Sequence, residues 1–278
     1  MAATRVAQAD RHIVALDLDG TVLFHDSTFE PELGAAIRAL HEAGHEVVVS
    51  TGRSVDATLP VVEQLRIRPE WVICSNGAVT LRRDPLAERS YRREYVEAFD
   101  ATDVLQRIRS HLVTARFAVE VTDGTFLYTE PIPAGTLPAA QRQVSFDELL
   151  GVQATRVVVV SPDHHLEDFL QVVESMGLVN VAYAVGWTAW LDIAPEGVNK
   201  ASALEVVAAR LGIDRSRVFA AGDGQNDIDM LRWVARHGDA VAMGQATAEV
   251  KAVASRVTGT VEEIGLLAAL RDRFAGLL

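Results

Sequence analysis

The 278-residue chain has one cysteine, Cys74, so no internal disulfide can staple it. It has no apolar run near the roughly 20 residues that cross a bilayer as a helix. The first such run, Ile13 to Leu16, is too short for the core of a signal peptide and leads directly into acid. None of the four asparagines, Asn76, Asn180, Asn199 and Asn226, begins a glycosylation sequon. These absences make a cytoplasmic location the expectation. Positive charge is also in short supply, with 26 Lys and Arg against 38 Asp and Glu, a formal net charge of −12. Such a field does not attract nucleic acid or anionic lipid, so neither is expected as a partner. An anionic substrate would have to be captured locally, by a metal ion or a few aimed donors. Lysine itself is nearly absent, occurring only at Lys200 and Lys251. The positions where these scarce residues are kept therefore ask for an explanation.

What is present is ordinary globular material, 49% hydrophobic and 23% charged. The length suits one large or two modest domains. Short apolar runs alternate with helical patterns at the start. Residues 12–16, 46–49 and 71–74 read as strands, and 31–43 and 55–65 as helices, with Pro31 suited to a first turn and Gly44 to a stop. Alternation of this kind predicts parallel strands joined by crossover helices, buried on both faces. From about residue 80 to 185 the pattern changes. Asp123-Gly124 within 120–128 signals a hairpin. Helical stretches at 96–112 and 163–176 and an apolar strand at 156–160 accompany it. After about residue 190 the first pattern returns, with helices at 200–211 and 227–235 and strands at 218–221 and 240–243. The expected fold class is α/β, a Rossmann-like parallel sheet core with an inserted α+β domain.

Short segments with unusual chemistry follow the C-terminal ends of predicted strands, the edge at which open parallel sheets bind ligands. Asp17-Leu18-Asp19-Gly20-Thr21 places two carboxylates together, one able to attack or hold a cation and one able to move protons. A plain Asp-Gly turn is the structural alternative. Ser50-Thr51-Gly52-Arg53 offers hydroxyl and N–H donors before a helix, a phosphate cradle or simply a capped helix start. Ser75-Asn76-Gly77-Ala78 is by itself a turn. Lys200 opens a helix, where its charge opposes the dipole. Gly222-Asp223-Gly224-Gln225-Asn226-Asp227 suits a hard, oxygen-loving cation.

These segments, in this order, resemble the four motifs of the haloacid dehalogenase-like superfamily of phosphatases, and the insert of roughly a hundred residues resembles its Cof-type branch, subfamily IIB, with a large α/β cap. The resemblance implies a core of residues 1–83 and 188–278 and a substrate-specifying cap of 84–187. It implies Asp17 as nucleophile, forming an aspartyl-phosphate. Asp19 would protonate the leaving alcohol and then activate water. Magnesium would be held by Asp17, Asp223 and the backbone carbonyl of Asp19. Thr51, Gly52, Lys200 and Asn226 would hold the phosphate, Arg53 would contact substrate, and Asp227 would orient Lys200 or a metal-bound water. The implied activity is magnesium-dependent hydrolysis of a small phosphorylated metabolite, with sugar phosphates as the default. The alternatives are a sugar phosphomutase and a catalytically dead phosphosugar-binding regulator. One departure is Ala201, where the family often has glycine. Arginines 82, 83, 89, 92 and 93 read as a solvated face of the cap, Trp187 and Trp190 as packing at the return to the core, and Cys74 as a buried strand residue.

Overall fold

The structure, a computed structural model, describes residues 6–132, 140–178, 181–185 (backbone only) and 189–278. The chain divides into two compact units. One comprises Met1–Arg53, Thr58–Glu94 and Asn199–Leu278; the other comprises Ser54–Ala57 and Tyr95–Val198.

The first unit opens with β1 (Ile13–Leu16), α1 (Pro31–Glu42), β2 (Glu46–Ser50), α2 (Val55–Gln64), β3 (Trp71–Cys74), β4 (Val79–Arg83) and β5 (Tyr91–Val96). The inserted unit contains β6 (Phe99–Asp100), α3 (Thr102–His111), β7 (Arg116–Val121), β8 (Phe126–Tyr128), β9 (Gln141–Gln143), β10 (Gln153–Val160), α4 (Leu166–Met176), β11 (Val181–Val185) and β12 (Trp190–Pro195). The first unit then resumes with α5 (Lys200–Leu211), β13 (Val218–Gly222), α6 (Ile228–Ala235), β14 (Asp239–Ala242), α7 (Ala248–Val253), β15 (Arg256–Val257) and α8 (Gly265–Arg273).

The first sheet runs β15-β14-β13-β1-β2-β3-β4-β5. From β15 to β3 the neighbours are parallel, and β4 turns back antiparallel on β3. Every residue of β1, β2, β3 and β13 is buried, which explains why these strands are apolar without alternation. β1 lies between β2, which follows it in sequence, and β13, which comes some 200 residues later. The chain order reverses there, and such a switch point opens a crevice at the carboxyl ends of the strands. Leu16 is level with both Val49 and Ala221. The next residues, Asp17, Ser50 and Gly222, therefore reach that edge together.

The second sheet runs β11-β12-β10-β7-β8-β9, with β6 on β10. It is antiparallel except for β9 on β8. The Asp123-Gly124 turn closes β7–β8, where Gly124 N–H donates to Val121 O (2.8 Å) and Thr125 N–H to Asp123 Oδ1 (2.8 Å). Alternate residues of β7 and β10 enter different clusters. Phe117, Val119, Val157 and Val159 pack with Leu105 and Ile108 of α3 and Phe169 and Val173 of α4. Ala118, Val158 and Val160 gather with Phe126 on the other face. The apolar run at 156–160 thus reflects two covered faces.

Three expectations shift. The divisions fall at Glu94/Tyr95 and Val198/Asn199, instead of 83/84 and 187/188. β5 extends the first sheet, while β12 pairs with β10 in the second. The helix expected over 96–112 starts only at Thr102, because 91–96 and 99–100 are strands. Arg82, Arg83, Arg92 and Arg93 consequently lie on β4 and β5 of the first sheet, where Arg92 pairs with Glu94 at 2.7 Å. Trp190 packs beside the Ala118–Phe126 cluster of the inserted unit, and Trp187 lies outside the described residues. Cys74 is fully buried in β3.

Candidate active site

The centre of the site is a buried ammonium between two carboxylates. Lys200, the first residue of α5, is 0% exposed. Its Nζ donates to Asp17 Oδ1 at 2.6 Å and to Asp227 Oδ1 at 2.7 Å. Asn199 supplies the local reason the helix starts there: its side chain accepts from Ser202 N–H at 2.9 Å, while Ser202 Oγ accepts from Asn199 N–H. A solvated lysine at a helix start is excluded by this burial. Burial alone would lower the Lys200 pKa, and the charges of Asp17 and Asp227 more than offset it, leaving the ammonium firmly protonated.

Asp17 follows β1 and is 4% exposed. Burial pushes its carboxyl well above the ordinary range, Asp227 adds to the shift, and Lys200 opposes it. Asp223 follows β13, and burial with the Asp227 charge raises its pKa to about 6. Oxygens of Asp17, Asp223 and Asp227 lie within 4.8 Å of one another. Three carboxylates around one ammonium leave excess negative charge in a buried space, which is the electrostatic signature of a cation site.

The three acids are not equivalent. Asp227 has both oxygens engaged, Oδ1 by Lys200 and Oδ2 by the N–H groups of Asp223 and Gly224, each at 3.0 Å. It therefore shapes the loop and fixes Lys200. Among the described residues, Asp17 and Asp223 each accept a side-chain donor on one oxygen only, from Lys200 and from Gln245. Those two acids have an oxygen left for a metal, and an all-oxygen donor set suits magnesium.

Asp19 sits apart from the buried cluster. Its side chain is 58% exposed and is gripped by Arg53, whose Nε donates to Oδ2 at 2.8 Å and whose Nη2 donates to Oδ1. Nη2 also donates to Ser27 Oγ at 3.1 Å. Gly20 has φ +78°, and a Cβ there would run into the Asp223 carboxylate, so glycine is required where the first loop passes the last. Thr51 is fully buried, and its Oγ1 accepts from Arg53 N–H at 3.1 Å. Gly52 brings the backbone close to Asn76 and Asn226, which are joined by an Asn226 Nδ2 to Asn76 Oδ1 bond of 2.9 Å.

All the residues singled out in sequence, Asp17, Asp19, Thr51, Gly52, Arg53, Lys200, Asp223, Asn226 and Asp227, thus belong to one edge of the first unit. Two more belong there. Asn76 sits in a turn where both Ser75 (φ +48°) and Asn76 (φ +54°) are left-handed, a conformation unusual outside glycine that aims the amide at Asn226. Gln245 follows β14, and its Nε2 donates to Gly20 O (2.5 Å) and Asp223 Oδ2 (3.2 Å). Its Oε1 accepts from Val261 N–H at 3.2 Å, which fixes the amide's orientation. The signal for Gln245 was its place at one more parallel strand end.

The comparisons with known proteins agree with this geometry. Residues 14–270 match the family model described as haloacid dehalogenase-like hydrolase. A 5-amino-6-(5-phospho-D-ribitylamino)uracil phosphatase, YitU of Bacillus subtilis (strain 168), is 26% identical over 277 residues, covering 95% of this chain and 98% of its own. The pyridoxal phosphate phosphatase YbhA of Escherichia coli (strain K12) is 30% identical over 263 residues, covering 89% and 93%. Among solved structures, a sugar phosphatase of subclass IIB, BT4131, superposes with a TM-score of 0.76 at 21% identity, covering 96% of this chain and 100% of that one. The fold is that of the subclass IIB phosphatases, and no described helix is long and apolar enough to cross a membrane. With the family model matched over nearly its whole length, the chain belongs to the haloacid dehalogenase-like hydrolases, as a phosphatase.

Proposed function

We propose that the protein is a magnesium-dependent phosphomonoester hydrolase that acts on a small phosphorylated metabolite, by default a sugar phosphate, through an aspartyl-phosphate on Asp17. The observation that carries this reading is the buried Lys200 bridging Asp17 and Asp227, with Asp223 alongside. Asp17, Asp223 and the backbone carbonyl of Asp19 would hold magnesium, which when bound offsets the repulsion between a carboxylate and a phosphate dianion.

Asp17 keeps one oxygen outside the Lys200 bond for the metal, and the oxygen beside Lys200 attacks phosphorus. Lys200, fixed by Asp227, presents its remaining donor to a phosphate oxygen. Thr51, Gly52 and Asn226 supply further donors to the phosphate. Asp19 gives a proton to the leaving alcohol and then takes one from the attacking water. It is released for this when Arg53 transfers its fork from Asp19 to the substrate. The inserted unit, residues 95–198 in the main, carries the selection of the substrate, and the protein works without nucleic acid or membrane.

The test is a panel of phosphorylated metabolites assayed with magnesium and with chelator. Release of inorganic phosphate, confined to the magnesium arm and strongest for one sugar phosphate, is the expected result. Transfer of phosphate within a sugar without net release would overturn it.

A further inference from the structure

The opposite edge of the first sheet gathers arginines. Arg11 precedes β1, Glu46 opens β2, Glu70 precedes β3, and Arg82 and Arg83 end the antiparallel β4. All stand at the N-terminal ends of the parallel strands, about 13 Å of strand away from the aspartates. Three cavities of about 420, 490 and 480 Å³ occur here, and each is lined by both Arg68 and Arg83. Volumes of this size are those of small-ligand sites.

Six arginines line the three cavities, at 11, 66, 68, 82, 83 and 89, against three glutamates. Two of those glutamates are already engaged. Glu46 pairs with Arg11 at 2.8 Å and accepts the N–H groups of Glu70 and Trp71, and Glu70 pairs with Arg82 at 3.4 Å. Only Glu63 remains. Among the described residues no ion pair joins Arg66, Arg68 or Arg83 to a carboxylate. In a chain of net charge −12, so concentrated a group of guanidiniums, with Arg66, Arg68 and Arg83 outside those ion pairs, has an anion as its natural counterpart.

A second observation comes from His41, which lines one of the three cavities. Arg68 N–H donates to its Nε2 at 3.1 Å, so the neutral ring carries its proton on Nδ1. Among the described residues that buried Nδ1 has no partner, and neither has the buried Arg11 Nε. Burial, followed by the charge of Arg83, lowers the His41 pKa, so at neutral pH the ring is an uncharged donor in a positive field. One cavity also has an apolar floor of Leu59, Val62 and Ile67 beside Tyr91. Such a floor suits a ring and not a bare ion.

We propose that this edge binds a small organic oligophosphate, its phosphates held by Arg68 and Arg83 and its ring on the apolar floor. Titration calorimetry with adenosine diphosphate and with inorganic pyrophosphate, in chelator and at low salt, tests it on the full chain. Wild-type protein is expected to bind the diphosphate more tightly than pyrophosphate. The double variant Arg68→Ala/Arg83→Ala should lose at least tenfold in affinity while keeping aryl phosphatase activity. Arg53→Ala, at the catalytic edge, should bind as wild type does. Absence of binding, equal binding by the double variant, or loss on Arg53→Ala would overturn the site. Tighter, Arg68- and Arg83-dependent binding of a single-stranded oligonucleotide would overturn the small ligand in favour of nucleic acid.

Discussion

Lys200 Nζ lies 2.6 Å from Asp17 Oδ1, although the two residues are 183 positions apart in the chain. The sheet joins them: Asp17 follows the strand flanked by both β2 and β13, and Lys200 opens the helix that leads into β13. The pair is enclosed, with Lys200 fully buried and Asp227 as its second partner. A small protein dedicates a lysine to such a position when a compact, freely directed ammonium is needed there.

Lys200→Arg keeps the charge and should still be damaging. A planar fork cannot occupy the point between Asp17 and Asp227 without moving a carboxylate. A misplacement of about 1 Å costs on the order of 10²-fold in rate, so kcat/KM should fall at least about tenfold. The full burial of Lys200 adds an overpacking cost of about 1–3 kcal/mol, so the melting temperature should fall as well. Steady-state kinetics and a melting curve decide; wild-type kinetics would remove Lys200 from the phosphate site.

Much of this arrangement was legible in the sequence because parallel strands buried on both faces give unbroken apolar runs, and the chemistry begins where each run ends. Asp17, Thr51 and Asp223 all follow such runs. The boundary of the insert was not legible, because β5 carries Tyr91-Arg92-Arg93-Glu94, an edge-strand pattern whose charges pair along the sheet and mimic a solvated surface. Asn76 was hidden because its role depends on a left-handed turn that its sequence shares with any Ser-Asn-Gly loop. Gln245 was hidden because its partners, Gly20 and Asp223, come together only through the sheet.

Gln245→Leu should weaken the metal site without touching the reacting groups. The loss of a partner that orients a metal-binding carboxylate costs about 10–100-fold in metal affinity. The magnesium concentration for half-maximal activity should rise by that factor, with kcat at saturating magnesium within a few-fold of wild type. A normal magnesium titration would show that the Gln245–Asp223 bond is incidental.

The pH dependence of metal binding follows from Asp223, whose pKa burial raises to about 6. A carboxyl raised on folding contributes stability that is present below its unfolded value of 3.8 and is lost as pH rises through about 6. Metal binding requires the deprotonated acid and so recovers stability only above that pH. Magnesium should therefore raise the melting temperature more at pH 8 than at pH 5, and Asp223→Asn should cut the increment at pH 8. Equal increments at both pH values would contradict the assignment.

Arg53 and Asp19 make a separable pair. Asp19→Asn should lower kcat by about 10²–10⁴-fold on alkyl phosphates, and less on aryl phosphates, whose leaving group needs no proton. Arg53→Ala should act mainly through KM, because its partner in turnover is the substrate. Equal losses of Asp19→Asn on both substrate types would assign Asp19 to structure or metal binding alone.

The central claim is that Asp17 carries the phosphoryl group, and the slow second step of Asp19→Asn offers the direct view of it. With an aryl phosphate the first step proceeds without an acid, while the second lacks its base, so the phospho-enzyme should accumulate. Acid quench during turnover, followed by mass analysis of the peptides, should find one phosphoryl group on the peptide containing Asp17, absent when Asp17 is also changed to Asn. An unmodified Asp17 peptide from enzyme that is still turning over, or a phosphoryl group on any other residue, would contradict the account.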